Sequence, residues 1–163
     1  MGGRYSTEVY VQELKELVPP LLALCRRAGD SICAHYHRPD AGEFTAKGDD
    51  SPLTQADLDS HVLLVHGLEE LGLGLPVLSE ESAAMDYRER QRWQRYWLVD
   101  PLDGTKEFLA RTGEFTINIA LIDRQRPVLG VLYAPLQFTA WVGIPGLESS
   151  RYTADGGAWQ VQP

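Results

Sequence analysis

The chain has 163 residues, 44% hydrophobic and 23% charged, which is the length and balance of one globular domain able to bury a core. Its net charge of -8 argues against a nucleic-acid partner, whose phosphates need clustered Lys and Arg to neutralise them, yet a small phosphorylated ligand stays compatible where bound divalent cations reverse the local sign. No apolar run is long enough to span a bilayer, and Glu8, Glu13, Lys15 and Glu16 interrupt any secretory leader.

Ser6 or Thr7 is placed to cap a first helix reaching Leu17, with Val9, Leu14 and Leu17 on one face. Pro19 and Pro20 are expected to end it or to open a second helix over 20–37, whose apolar positions are Leu21, Leu24, Cys25, Ala28, Ile32 and Tyr36. Gly29 is a weak point in that helix. Cys25 and Cys33 are too few for a disulfide framework and read as buried or half-buried helix residues, so a reducing cytoplasm is the expected compartment. Residues 38–52 carry turn formers and read as a polar loop with a short extended piece over 44–47. Thr54 caps the next helix, with Asp57 in its first turn and Leu58, Val62, Val65, Leu68 and Leu71 as its apolar face. Gly72 and Gly74 end it.

A short buried strand over 76–78 then delivers Ser79, Glu80 and Glu81, and 82–94 is a polar surface segment. An apolar strand over 96–99 leads to Asp100-Pro-Leu-Asp-Gly-Thr105, followed by a short helix over 106–110. Strand-like runs over 115–123, 128–133 and 138–143 form an antiparallel meander, and Asp155-Gly-Gly157 marks a further hairpin in the tail. The expected fold class is α+β: two long helices packed on a mostly antiparallel sheet. Residues 1–18 read as an N-terminal extension with helical spacing, and 19–163 as the α+β domain.

The chemistry gathers at the end of the central strand. Asp100 and Asp103 can share one locus if the chain curls at Pro101, with the Leu102 carbonyl beside them and Glu80 as a third carboxylate. Such carboxylates repel unless a cation joins them, and an all-oxygen set suits Mg²⁺. Gly104 permits a sharp turn, after which the amides of Gly104 and Thr105 open a helix start that suits a phosphate. Thr105 offers a hydroxyl, and Asp57 can accept its proton. Duller readings coexist: Asp100 and Asp103 also suit a helix-capping turn, Asp57 also suits a first-turn charge, and Glu81 competes with Glu80. His35, His37, His61 and His66 read as surface or satisfied residues.

These motifs resemble the signature of the inositol monophosphatase-like, lithium-sensitive, Mg²⁺-dependent phosphatases. Lys106-Glu107-Phe108, then Gly113-Glu-Phe-Thr-Ile-Asn-Ile-Ala-Leu121, resemble the 3'(2'),5'-bisphosphate nucleotidase branch. So do Lys47, Ser51-Pro-Leu-Thr-Gln-Ala-Asp57 and Pro76-Val-Leu-Ser-Glu-Glu81 upstream. That branch hydrolyses 3'-phosphoadenosine 5'-phosphate (PAP). The resemblance implies that Glu80, Asp100 and Asp103 bind Mg²⁺ through side chains and Leu102 through its carbonyl. It implies that Asp57 and Thr105 activate the attacking water, that Gly104, Thr105 and Lys47 bind the substrate phosphate, and that Lys47 lies on a loop bordering a further metal. It favours Glu80 over Glu81. The implied reaction is in-line attack of water on the 3'-phosphate, giving AMP and phosphate without a phosphoenzyme.

The implied partner is a small phosphorylated substrate, with no nucleic acid and no integral membrane segment. The implied location is cytoplasmic or peripheral on the inner face of the membrane. Inositol monophosphate or another sugar phosphate is the alternative substrate. Members of this family are longer, and their second, α/β domain supplies a further metal-binding Asp and most substrate contacts. Nothing in these residues matches that domain. An inactive truncated fragment is therefore a second alternative, and the face left uncovered is expected to be apolar and prone to association.

Overall fold

Leucine, valine and cysteine recur at helical spacing from Leu14 to Ile32, and they bury one continuous stripe of a helix. The computed structural model describes residues 7–39, 43–46, 52–82, 86–147, 149–155 and 157–162; Ser6 and Lys47 lie outside them. The first helix, α1 (Thr7–Tyr36), runs unbroken for 30 residues with Pro19 and Pro20 inside it, so the expected break does not occur. Each proline removes one backbone donor, and the carbonyls thereby released belong to Lys15 and Glu16. Both residues are exposed, so water can satisfy those carbonyls. Leu14, Leu17, Val18, Leu21 and Leu22 are buried on either side of the prolines, and this packing outweighs the local penalty.

Two short strands, β1 (Thr45–Ala46) and β2 (Pro52–Leu53), pair antiparallel and lead into α2 (Gln55–Glu70). Thr54 caps this helix in a capping box completed by Asp57. The buried face differs from the expected one. It consists of Ala56, Asp57, Ser60, Leu64, Gly67 and Leu68, whereas Leu58 and Val62 are exposed. Hydrogen bonds explain the rotation: Asp57 and Ser60 are drawn inward by Thr105 and by the Pro101 carbonyl. Two polar groups with inward partners outweigh the transfer of two apolar side chains.

The remaining elements are β3 (Val77–Ser79), α3 (Tyr87–Arg90), β4 (Arg95–Asp103), α4 (Thr105–Leu109), β5 (Thr116–Asp123), β6 (Arg126–Ala134), β7 (Thr139–Gly143), β8 (Ser150–Asp155) and β9 (Ala158–Gln162). Strands β3 to β9 form one seven-stranded sheet in sequence order. Only β3 and β4 run parallel, so the sheet is mostly antiparallel and the α+β class holds. Trp97, Val99, Ile117, Ile119, Leu121, Leu129, Val131, Tyr133 and Ala140 join the residues of α1 and α2 in one core. Strand alternation then sends Leu98, Asp100, Asn118, Ala120, Leu132 and Trp141 to the opposite face. Cys25 is buried and Cys33 half-buried, both as free thiols. Among the described residues no helix is long and apolar enough to cross a membrane.

Candidate active site

Strand β4 keeps its pairing with β5 from Arg95 to Asp100, then shifts register before Asp103. Pro101 causes the shift, because it has no amide to give the ladder. Its carbonyl turns to α2 instead, where Ser60 Oγ donates to it at 2.7 Å in a buried contact. The Leu102 amide donates to Asp100 Oδ1 at 3.2 Å, which curls the backbone around the carboxylate. Gly104 completes the turn at φ 95° and ψ 40°. A Cβ there would stand 2.7 Å from the Glu114 carbonyl oxygen, so both conformation and space require glycine.

Asp57 lies beneath this turn, 1% exposed. Its Oδ2 accepts from the Thr54 amide at 2.8 Å and from the Thr54 hydroxyl. Its Oδ1 accepts from Thr105 Oγ1 at 3.0 Å. The Leu102 carbonyl lies 3.3 Å from the same hydroxyl, so the closer carboxylate is the better acceptor of its single proton. A buried carboxylate ringed by three donors is held in one orientation as a hydrogen-bond acceptor. It also fixes the hydroxyl of Thr105 through its single proton.

The other carboxylates surround the turn. The Glu80 amide donates to the Val99 carbonyl at 3.0 Å, extending the parallel pairing and bringing Glu80 beside Asp100. Asp100 and Glu80 share a carboxyl–carboxyl hydrogen bond. Burial first, then the charge and hydrogen bond of Glu80 and the charge of Asp103, push the Asp100 carboxyl up to about 7 against the Leu102 amide. This contact makes Glu80 a partner of Asp100. Asp103 is exposed and accepts from Asn118 Nδ2 at 2.9 Å.

The donors here are all oxygen: the carboxylates of Glu80, Asp100 and Asp103 and the carbonyl of Leu102. Such a set suits a hard divalent cation and offers nothing to a thiophilic one. The mutual repulsion recorded at Asp100 is of the kind a cation relieves. Among the described residues, however, no three acidic, His or Cys side chains converge in a ligating cluster. The structure brings Glu80 to Asp100 and Asp57 to Thr105, while Asp103 is turned to Asn118. Three supporting contacts emerge only in the structure, those of Ser60, His61 and Asn118, and His61, read as a surface or satisfied residue, is satisfied by Ser79 Oγ. Asn118 had one signal, a polar residue on a strand whose neighbours are apolar. Ser60 and His61 had only their helical offset from Asp57.

The carboxylates open onto a groove of about 710 Å³ along the outer sheet face. Glu80, Asp100 and Asn118 line it together with Leu78, Leu98, Leu132, Trp141 and Arg90.

Comparison with known proteins matches residues 13–159 to the inositol monophosphatase family. The chain is 50% identical over 139 residues to the 3'(2'),5'-bisphosphate nucleotidase CysQ of Salmonella typhimurium, covering 85% of this chain and 52% of that protein. Among solved structures, CysQ from Bacteroides thetaiotaomicron, described as a bacterial member of the inositol monophosphatase family, superposes with a TM-score of 0.71 at 40% identity, over 86% of this chain and 51% of that one. The extragenic suppressor protein suhB from Bartonella henselae superposes with a TM-score of 0.72 at 25% identity, over 82% and 51%. The chain thus spans about half the length of the curated relatives it matches.

Proposed function

Because this chain belongs to the inositol monophosphatase family, we propose that it carries the Mg²⁺ and phosphate half of a phosphomonoesterase site whose substrate is PAP, hydrolysed at the 3'-phosphate to AMP and phosphate. The observation that carries this reading is the buried Asp57 carboxylate accepting from Thr105 Oγ1 at 3.0 Å, one turn of chain from the Asp100–Glu80 pair. The nucleotide preference draws on the CysQ relatives, which are 3'(2'),5'-bisphosphate nucleotidases. The domain expected over 19–163 extends back into α1, whose Leu14, Leu17 and Val18 join the same core, and in this reading that domain binds the metal and the phosphate. A cytoplasmic location belongs to it as well, since both cysteines are free thiols.

Glu80, Asp100, Asp103 and the Leu102 carbonyl would hold Mg²⁺, which when bound supplies positive charge to the attacking water and to the phosphate oxygens. The protein groups do the rest. Thr105 Oγ1 accepts a hydrogen bond from the water while passing its own proton toward Asp57 Oδ1. The water oxygen bonds to phosphorus as the bond to the ribose 3'-oxygen breaks, and that oxygen takes a proton from a solvent water and leaves as the 3'-hydroxyl. The amides of Gly104 and Thr105 face the phosphate oxygens in this reading.

A phosphate-release panel with Mg²⁺ tests the proposal on the 163-residue chain. Faster release from PAP than from inositol 1-phosphate is the expected result, and the reverse order overturns the nucleotidase assignment. A second reading follows from the chain's span of half its relatives: these residues bind metal without completing the reaction. Mg²⁺ binding with no release from any substrate supports it.

A further inference from the structure

The Glu80 turn is held by more than its backbone. Ser79, buried and last in β3, already pairs with Val99 through the sheet, and the Ser82 amide donates to its carbonyl at 3.0 Å. Two further contacts from its own turn are long: the Ser79 amide to Ser82 Oγ and the Glu81 amide to Ser79 Oγ, each at 3.4 Å. The short contact comes from elsewhere, from His61 Nδ1 on α2, 2.8 Å from Ser79 Oγ. No ladder or cap requires it. His61 lies one helical turn beyond Asp57, so the two project from the same face of α2. Ser60 beside it holds the Pro101 carbonyl. One rigid helix therefore reaches the proton acceptor, the β4 bulge and the Glu80 turn.

We infer that His61 is a positioning residue which, through Ser79, sets where the Glu80 carboxylate stands relative to Asp100 and so sets the affinity of the site for Mg²⁺. The inference rests on the proposed metal role of Glu80 and Asp100. Groups that orient a metal ligand without touching the metal alter affinity by about 10- to 100-fold when removed.

Calorimetric Mg²⁺ titration of the 163-residue chain tests it, with thermal melting of the metal-free protein as the fold control. His61→Leu and Ser79→Ala are each expected to weaken Mg²⁺ binding by about tenfold or more. His61→Asn is expected to restore most of the affinity, because its side-chain amide can occupy the position of Nδ1. The double variant His61→Leu/Ser79→Ala is expected to lose no more than the worse single variant. Val62→Ala, on the exposed side of the same helix, is expected to leave binding unchanged. Wild-type affinity in both His61→Leu and Ser79→Ala overturns the positioning role alone. Multiplicative losses in the double variant also overturn it. A silent wild-type titration overturns the metal reading itself and this inference with it. Should His61→Leu melt far below wild type, Ser79→Ala and His61→Asn carry the decision.

Discussion

Asp57 holds two positions at once: it is the third residue of a helix capping box and the acceptor for Thr105. Asp57→Asn keeps the shape but cannot accept from all three donors that surround it. It is expected to cost about 1 kcal/mol of stability, read by chemical denaturation, and at least about 100-fold in phosphate release. A loss of stability with no loss of activity confines Asp57 to the cap. Gly104→Ala is expected to cost at least about 1–2 kcal/mol, since an L-residue resists the left-handed turn and its Cβ would also meet the Glu114 carbonyl. Unchanged denaturant midpoints contradict that. Asp57, Glu80, Asp100 and Thr105 were legible in the sequence because each belongs to a short motif whose spacing limits its geometry. The contacts of Asn118, His61 and Ser60 were not, because their partners lie 15, 18 and 41 residues away and only the folded chain joins them.

At the scale of elements, hydrophobic period gave the correct kinds of structure and misjudged two details. The strands of the meander and the tail hairpin were legible because alternation and turn formers act locally. The continuous α1 was not, because its prolines are tolerated only through packing on both sides and solvent at the released carbonyls. The orientation of α2 was not, because inward hydrogen bonds outweighed Leu58 and Val62. Gly29, a weak point by helix propensity, is required by contact: a Cβ there would lie 2.5 Å from Tyr133 Cε1 and 3.2 Å from Pro135 Cβ. At Gly67 the obstacle is the flexible end of Leu24. Gly29→Ala is therefore expected to destabilise by about 1–3 kcal/mol despite the better helix propensity of alanine, and Gly67→Ala by less. Equal effects, or a gain at Gly29, contradict the packing.

The whole molecule has one dressed face and one bare one. Helices α1 and α2 cover the inner face of the sheet, while Leu98, Leu132 and Trp141 on the outer face are 42%, 39% and 40% exposed. An apolar face of this kind favours association. Sedimentation is expected to show concentration-dependent self-association that Trp141→Lys weakens; a monomer at all concentrations contradicts this. That face is also where Glu80, Asp100 and Asn118 open, so the same surface carries the apolar groove and these two carboxylates. The most direct measurement is calorimetric Mg²⁺ titration of the wild-type chain beside Asp100→Asn, which preserves shape and removes one of the repelling charges. Wild type is expected to bind Mg²⁺, and Asp100→Asn to lose that binding while melting at or above the wild-type temperature without metal. Identical isotherms for the two proteins would contradict the assignment of Asp100 and its neighbours as a metal site.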